Sequence, residues 1–408
     1  MRKIILSVAV AAMALSTTAS ALEDIKVNGQ AKLWYESNDA GKNNLFEGDT
    51  DATGELVFKL GVTGKQGNVG FGATIYQTTD LGLTGEALNG TRSNVANEDM
   101  FVGEAYVTAP MGSMASLKLG KQELNTPYLF TETWNALPNT FDAAVVTVKP
   151  MADLSLVAMY VGQDNTDGSL KVGTLTGDNE VSNEIYGGAL VAGVLYKNST
   201  FDANFWYTNV GNYDLPTATA TTTMGETLSA FYLDAGTKVA DVALRAYATT
   251  VDGSDSEKST EAYALSAGVK VGSFDLFAAA STVTDDGDHT VANISTANKK
   301  SFLPTEGVYT DGLYVAQQDS TAFKVKASTK FGSTGVALQA VNNSSDKLST
   351  ISGNDYKSYE TTEVDLFLTD KFGDFSTTAI LMHRSFKDDT VDDLTGGFYA
   401  RFIVALNF

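Results

Sequence analysis

The chain has 408 residues, with 28 Lys and Arg against 49 Asp and Glu, a formal charge of −21 at pH 7, and no cysteine. So acidic a balance argues against a nucleic-acid partner, which would require a basic face. Without cysteine there is neither a disulfide framework nor a thiolate to act as nucleophile or metal ligand.

The amino terminus reads as a secretory leader. Arg2 and Lys3 precede an apolar run from Ile4 to Leu15, and Ala19-Ser20-Ala21 has the small residues of a cleavage site. The run is shorter than the ~20 residues of a spanning helix. Residues 1–21 are therefore expected to be removed, leaving residues 22–408 as one domain.

Beyond the leader, apolar and polar residues alternate with the period of a strand. In IKVNGQAKLWYES, Ile25, Val27, Gly29, Ala31, Leu33 and Tyr35 share one face, and Lys26, Asn28, Gln30, Lys32, Trp34 and Glu36 the other. The pattern returns at Leu56–Val62, at Phe201–Tyr207 and at Thr362–Leu368. About eighteen such runs of roughly ten residues follow one another, the length with which a tilted strand crosses a bilayer. Short turns (64–68, 148–153, 196–200, 237–241, 270–275, 330–335 and 370–375) alternate with long polar stretches (38–52, 79–98, 163–183, 210–226, 284–319 and 342–358). Turns at one rim and loops at the other predict an up-and-down antiparallel meander, and an even strand number allows closure with no free edge. The turn rim is marked by Lys65, Lys149, Lys197, Lys238, Lys270, Lys330 and Lys371. Two acidic clusters, Asp285, Asp286 and Asp288, and Asp388, Asp389, Asp392 and Asp393, are expected in outer loops.

The chain ends on YARFIVALNF, in which Ala400, Phe402, Val404, Leu406 and Phe408 alternate to the last residue. That ending resembles the signal by which outer-membrane barrels are recognised by the barrel-assembly machinery. With the leader, it predicts an all-β transmembrane barrel of about eighteen strands in the outer membrane of a Gram-negative cell.

One stretch breaks the rhythm. GKQELNTPYLFTETWNALPNTFDA, Gly120 to Ala143, has no alternation, two prolines, Trp134 and the acids Glu123, Glu132 and Asp142. Within it and its flanks, LGKQELNTPY (Leu119–Tyr128) and PNTFDAAV (Pro138–Val145) resemble the third-loop region of the porin D family, most closely its branch of major outer-membrane porins from epsilon-class proteobacteria. The resemblance implies that this loop folds into the barrel and narrows the pore. It places Glu123, Asn125, Tyr128, Glu132 and Asp142 at the constriction and implies a homotrimer. Physics points the same way: about eighteen strands enclose a lumen too wide for side chains alone to fill.

Parity along the strands turns Lys32, Lys59, Lys118, Arg245, Lys324, Lys326 and Arg401 toward the lumen. Channels of the family that take carboxylates use an arginine ladder; this chain has few arginines, and a lysine is a point charge rather than a bidentate fork. His289 and His383 stand without the Ser–His–acid signature of a hydrolase, and the acidic loops lack the spacing of a calcium loop. No cofactor, metal or catalytic residue is expected. The function expected is passive diffusion of ions and small hydrophilic solutes, with cation preference, in contact with outer-membrane lipid and lipopolysaccharide. The alternatives are a surface-exposed structural or adhesive barrel and a substrate-specific channel for small carboxylates or amino acids.

Overall fold

A computed structural model describes residues 22–39, 52–80, 100–165, 183–213, 226–254, 256–296, 299–347, 349–351, 354–356, 358–388 and 391–408. Residues 1–21, expected as a leader, and most of four connections between strands lie outside the described residues.

The strands are long and consecutive. The first half runs β1 (Glu23–Asn38), β2 (Thr53–Gln66), β3 (Val69–Thr79), β4 (Met100–Met111), β5 (Ala115–Gln122), β6 (Phe141–Met151), β7 (Leu154–Asp164), β8 (Asn183–Lys197) and β9 (Phe201–Tyr213). The second half runs β10 (Glu226–Val239), β11 (Val242–Gly253), β12 (Thr260–Val271), β13 (Phe274–Val283), β14 (Thr321–Phe331) and β15 (Thr334–Ser345), then β18 (Tyr359–Phe372), β19 (Phe375–Asp388) and β20 (Val391–Asn407). Between them, β16 (Ser349–Ile351) and β17 (Asn354–Tyr356) pair only with each other, as a hairpin inside the β15–β18 connection. The other strands form one 18-stranded antiparallel sheet. It closes because β1 pairs with β20 as well as with β2; Trp34 faces Glu55 on one side and Ile403 on the other.

Closure satisfies every strand edge, and the pleat sorts the side chains. Phe58 and Leu60, Phe205, Leu233, Leu265, Phe323, Val325 and Leu338 are exposed on the outer face, while Val57, Trp206 and Tyr232 on the same strands are buried inside. An exposed apolar belt of this extent suits hydrocarbon as the surrounding solvent. Phe201, Phe274, Phe331, Phe372, Phe375 and Phe408 are exposed at strand ends beside the short turns, as an aromatic rim. Five of those turns carry a glycine at φ between +59° and +73°, which only glycine adopts without strain. Three of the turn lysines pair with acids at the same rim: Lys65 with Asp24 at 2.7 Å, Lys270 with Asp275 at 3.3 Å and Lys238 with Asp241 at 3.9 Å.

The seam is closed by the last residue. Phe408 and Gly29 exchange backbone hydrogen bonds (2.7 and 3.0 Å), and the Phe408 ring fills the space a Cβ on Gly29 would need. Phe402, Val404, Leu406 and Phe408 all point outward, and Phe402 stacks on Tyr35.

Two connections differ from expectation. The ninth is not a long acidic loop: β19 runs to Asp388 and β20 begins at Val391, because the strands continue as a paired ribbon. The stretch 284–319 leaves the rim after Asp286 and turns inward, burying Val291, Ala292, Ile294, Leu303, Val315 and Ala316. A loop with that much apolar surface is more stable packed than solvated. Its described residues include a 3-10 turn at Ile294–Thr296 and a turn of α-helix, α1 (Gly312–Val315), capped by Asp311.

Candidate functional site: the lumen and the two segments inside it

The wall opens a path for the first segment at Gly120. Its φ of +116° lets β5 end early, and a Cβ there would lie 2.2 Å from the Ala105 carbonyl. The buried Gln122 amide then donates to the carbonyls of Gly120 (3.1 Å) and Ala143 (2.9 Å), fixing the exit.

Residues 123–140 form a compact, self-bonded strap. Thr126 caps a turn to Leu129, Thr131 N–H donates to Leu124 O (2.8 Å), and Asn139 Nδ2 donates to Phe130 O (3.1 Å). Each end is apolar. Leu124, Tyr128 and Leu129 belong to a buried cluster with Phe141, Val161, Trp206 and Val251, and the Tyr128 hydroxyl bonds Thr249 on β11. Ala136 and Leu137 pack on Trp34, Val57 and Tyr76, and β1 binds the backbone there: Lys32 Nζ donates to Asn135 O (3.3 Å) and Trp34 Nε1 to Trp134 O (3.2 Å). Counted round the barrel, β11 lies ten places from β1 one way and eight the other. A strap that touches both strands crosses the lumen.

The second segment, from residue 284 to 320, leans on the first. Ile294 N–H donates to Tyr128 O (2.9 Å), Phe130 N–H to Asn293 Oδ1 (3.3 Å) and Asn293 Nδ2 to Phe130 O (2.9 Å). Its far part is held by the wall. The Glu363 carboxylate on β18 accepts the N–H groups of Val308, Tyr309 and Thr310, an approach possible because residue 307 is glycine. Lys324 Nζ donates to Glu306 O (2.5 Å), Arg384 to Tyr309 O (3.3 Å), and the Tyr309 hydroxyl bonds Glu36.

The five expected constriction residues divide. Glu123 and Asn125 are exposed, and Glu123 is near enough to act electrostatically on Lys118 and Tyr106. Tyr128 is buried as an anchor, which pushes its phenol well above the usual range. Glu132 is in the strap but not in contact with bulk water. Its carboxylate accepts Trp134 Nε1 (2.6 Å), Asn293 Nδ2 (2.9 Å) and the Thr296 hydroxyl, so it joins the two segments. Asp142 faces the opposite way. Its neighbours on β6, Phe141 and Ala143, are buried in the inner cluster, which turns Asp142 outward, where it pairs with Lys121 (3.4 Å) and bonds Gln163. Its placement at the constriction is therefore corrected.

The inward cations also divide. Arg245 is held between Asp202 and Asp234, and Arg401, 2% exposed, between Glu36 (2.6 Å) and the rings of Trp34, Trp134 and Tyr309. Lys32 and Lys324 bind loop carbonyls. Lys59 lies over Tyr76, Lys118 over Tyr106 at 3.8 Å and Lys326 over Phe367, each with its ammonium on a ring face. The arginines thus fix structure, and lysines line the open wall. Sequence reasoning missed Glu363, Asn293, Thr296 and Lys300. The signal available was the apolar content of Val291–Ile294 and Leu313–Ala316 in a stretch read as polar loop.

Among the described residues, no group of three or more His, Cys, Asp or Glu is arranged to hold a metal ion. Ser256 Oγ lies 3.0 Å from His289 Nε2, but the imidazole is 2% exposed and burial lowers its pKa, so it is placed as packing at the rim. His383 points outward against Phe398.

No protein-family model matches the chain, and no curated protein sequence matches it. Solved structures do. Pseudomonas aeruginosa OccK8 (OprE) superposes with a TM-score of 0.64 at 15% identity, over 94% of this chain and 98% of that one. P. aeruginosa OccK3 (OpdO) gives 0.66 at 12%, over 96% and 97%. A BenF-like porin from Pseudomonas fluorescens Pf-5 gives 0.64 at 12%, over 95% and 99%. At such identities the likeness is one of fold: the closed eighteen-strand barrel is shared along almost the whole length of each chain.

Proposed function

We propose that the chain is an outer-membrane porin of the porin D family, a passive diffusion channel for ions and small hydrophilic solutes. The observation that carries this reading is the strap at 123–140, which reaches from β1 to β11 across a closed eighteen-strand barrel. A barrel of that size encloses an aqueous channel unless something fills it, and the strap with the segment behind it narrows the lumen to the space beside β2–β5. Glu123, Lys59, Lys118, Tyr106 and Glu104, which accepts the Thr74 hydroxyl (3.2 Å) and acts electrostatically on Lys118, are in this reading the groups that line that space. The shared fold with solved porins and the exposed apolar belt support the same reading. Filtering is electrostatic, with no energy coupling.

A ladder for carboxylate substrates is not favoured, since Arg245 and Arg401 are already paired with carboxylates. Conductance of the purified protein in a planar bilayer tests the channel; a folded barrel that passes no current would overturn it. We also propose lipopolysaccharide as its lipid surroundings and a homotrimeric assembly, which the native mass in detergent checks.

Cation preference, in this reading, rests on Glu123. Because Glu132 is buried and Asp142 faces outward, Glu123→Gln alone should reproduce nearly the whole loss of cation preference seen on neutralising all three acids. The shift in reversal potential should be largest in dilute salt, where the Debye length is ~30 Å at 0.01 M against ~10 Å at 0.1 M. A triple variant that shifts the potential far more than Glu123→Gln would show that another of the acids meets the ions.

The outward row Phe402, Val404, Leu406 and Phe408 is proposed as the assembly signal. Deleting Phe408 should lower the yield of heat-modifiable, folded barrel, both by removing the signal and by leaving Gly29 unpaired at the seam. Undiminished yield at normal expression would count against it.

A further inference from the structure

The joint between the two inward segments gathers more acid than it can neutralise. Glu306 and Asp311 lie within electrostatic reach of each other, of Glu132 and of the Lys300 ammonium, which lies 3.9 Å from Asp311 Oδ2, donates to Val308 O (3.2 Å) and sits over the Trp134 ring. Glu306 accepts the Ser301 N–H, and Asp311 accepts that of Leu313 (3.1 Å) as the cap of α1. The charges that face this joint from the wall are occupied. Lys324 on β14 donates to the Glu306 carbonyl, and Arg384 on β19 to the Tyr309 carbonyl. Glu363 on β18 binds three N–H groups, with Asp365 hydrogen-bonded beside it. Glu36 on β1 pairs with Arg401 on β20.

We propose that this joint is an acid-tightened latch: the segment 299–315 docks firmly on the strap and wall when Glu306 and Asp311 carry protons, and loosens when they lose them. Lys300 and Lys324 are two ammoniums against three carboxylates, those of Glu132 and Asp311 buried and that of Glu306 partly so, and the docked state therefore holds a proton that the undocked, solvated state releases. Burial is the main cause of a rise that brings both Glu306 and Asp311 to about 7. Lys300 opposes it, and Glu132 adds to it at both carboxyls, as Glu306 does at Asp311. The ordinary values are 4.5 and 3.8. Docking is thus strongest in acid, weakens as pH rises through the interval between those values and about 7, and is weakest and flat above it.

In a channel, the latch would make the lumen steadier and narrower in acid, a consequence that rests on the porin reading. Docking itself does not, so the two are measured separately. Hydrogen exchange of the folded barrel in detergent should show amides of residues 299–315 protected about tenfold or more at pH 5.5 relative to pH 8, after correction for intrinsic rates. Glu306→Gln with Asp311→Asn should remove that difference while leaving heat-modifiable migration intact; Glu306→Gln alone, which keeps the cap, serves if the pair does not fold, and should shrink it. In single-channel records, transitions between conductance levels should be more frequent at pH 8 than at pH 5.5 for the unaltered chain only. Equal protection at both pH values, or the same pH response in the variants, would overturn the latch. A silent bilayer with pH-dependent exchange would overturn the channel and leave the latch standing.

Discussion

Joining Leu124 directly to Pro138 should raise single-channel conductance by about twofold or more, since an eighteen-strand wall without its strap encloses an open aqueous lumen. The deletion removes the strap's volume together with Glu123's neighbour Asn125. It also removes the Tyr128 and Phe130 carbonyls and the Glu132 carboxylate, on which Asn293, Ile294 and Thr296 depend. The second segment therefore loses its support, and the current should become noisier as well as larger. Larger uncharged solutes should pass in a liposome-swelling assay. The barrel should still fold, because strand pairing from β5 to β6 runs from Gln122–Phe141 toward the turn and does not involve the strap. A folded deletion variant with unchanged conductance and solute cutoff would place the strap outside the permeation path.

Replacing Glu132 should act through the joint and not through the field in the pore. In Glu132→Ala the Trp134, Asn293 and Thr296 donors lose their acceptor inside a buried site, at about 1–3 kcal/mol for each one left unsatisfied. Glu132→Gln keeps one amide oxygen as acceptor and should lie between the two. The expected readout is graded: frequent transitions between conductance levels in the alanine variant, fewer in the glutamine variant, fewest in the unaltered chain. Reversal potential should move little in either, because the carboxylate is 2% exposed. A shift in reversal potential as large as that of Glu123→Gln would show Glu132 in contact with permeating ions and displace it from its role as the joint.

The difference between these two acids was not legible in the sequence, although both sit in the same irregular stretch. Backbone irregularity at 120–143 announced that the strand pattern stops there; it carried no information on which side chains would meet the second segment, 161 residues away at Asn293. Asp142, placed at the constriction by resemblance, shows why strand alternation offered no check there. Along β6, Phe141, Ala143 and Val145 face inward, and Asp142, Ala144 and Val146 outward, so both faces are largely apolar. The inner face is apolar because the strap covers it, as it covers Met159 and Val161 on β7. Where a loop packs on the wall, the alternation that separates lumen from lipid disappears.

Strand number, closure, the two rims and the inward set Lys32, Lys59, Lys118, Arg245, Lys324, Lys326 and Arg401 follow from the sequence by itself. Each depends on a local rule: successive side chains in a strand point to opposite faces, and a water-filled lumen opposite an apolar exterior writes that alternation into the residues. What occupies the lumen was decided only by tertiary structure. The strap's reach to β11, the inward turn of 284–320, the pairing of Arg245 and Arg401 with carboxylates and the burial of Glu132 all arise between residues far apart in the chain. Such contacts depend on which surfaces the closed barrel brings face to face, and no period along the chain records them.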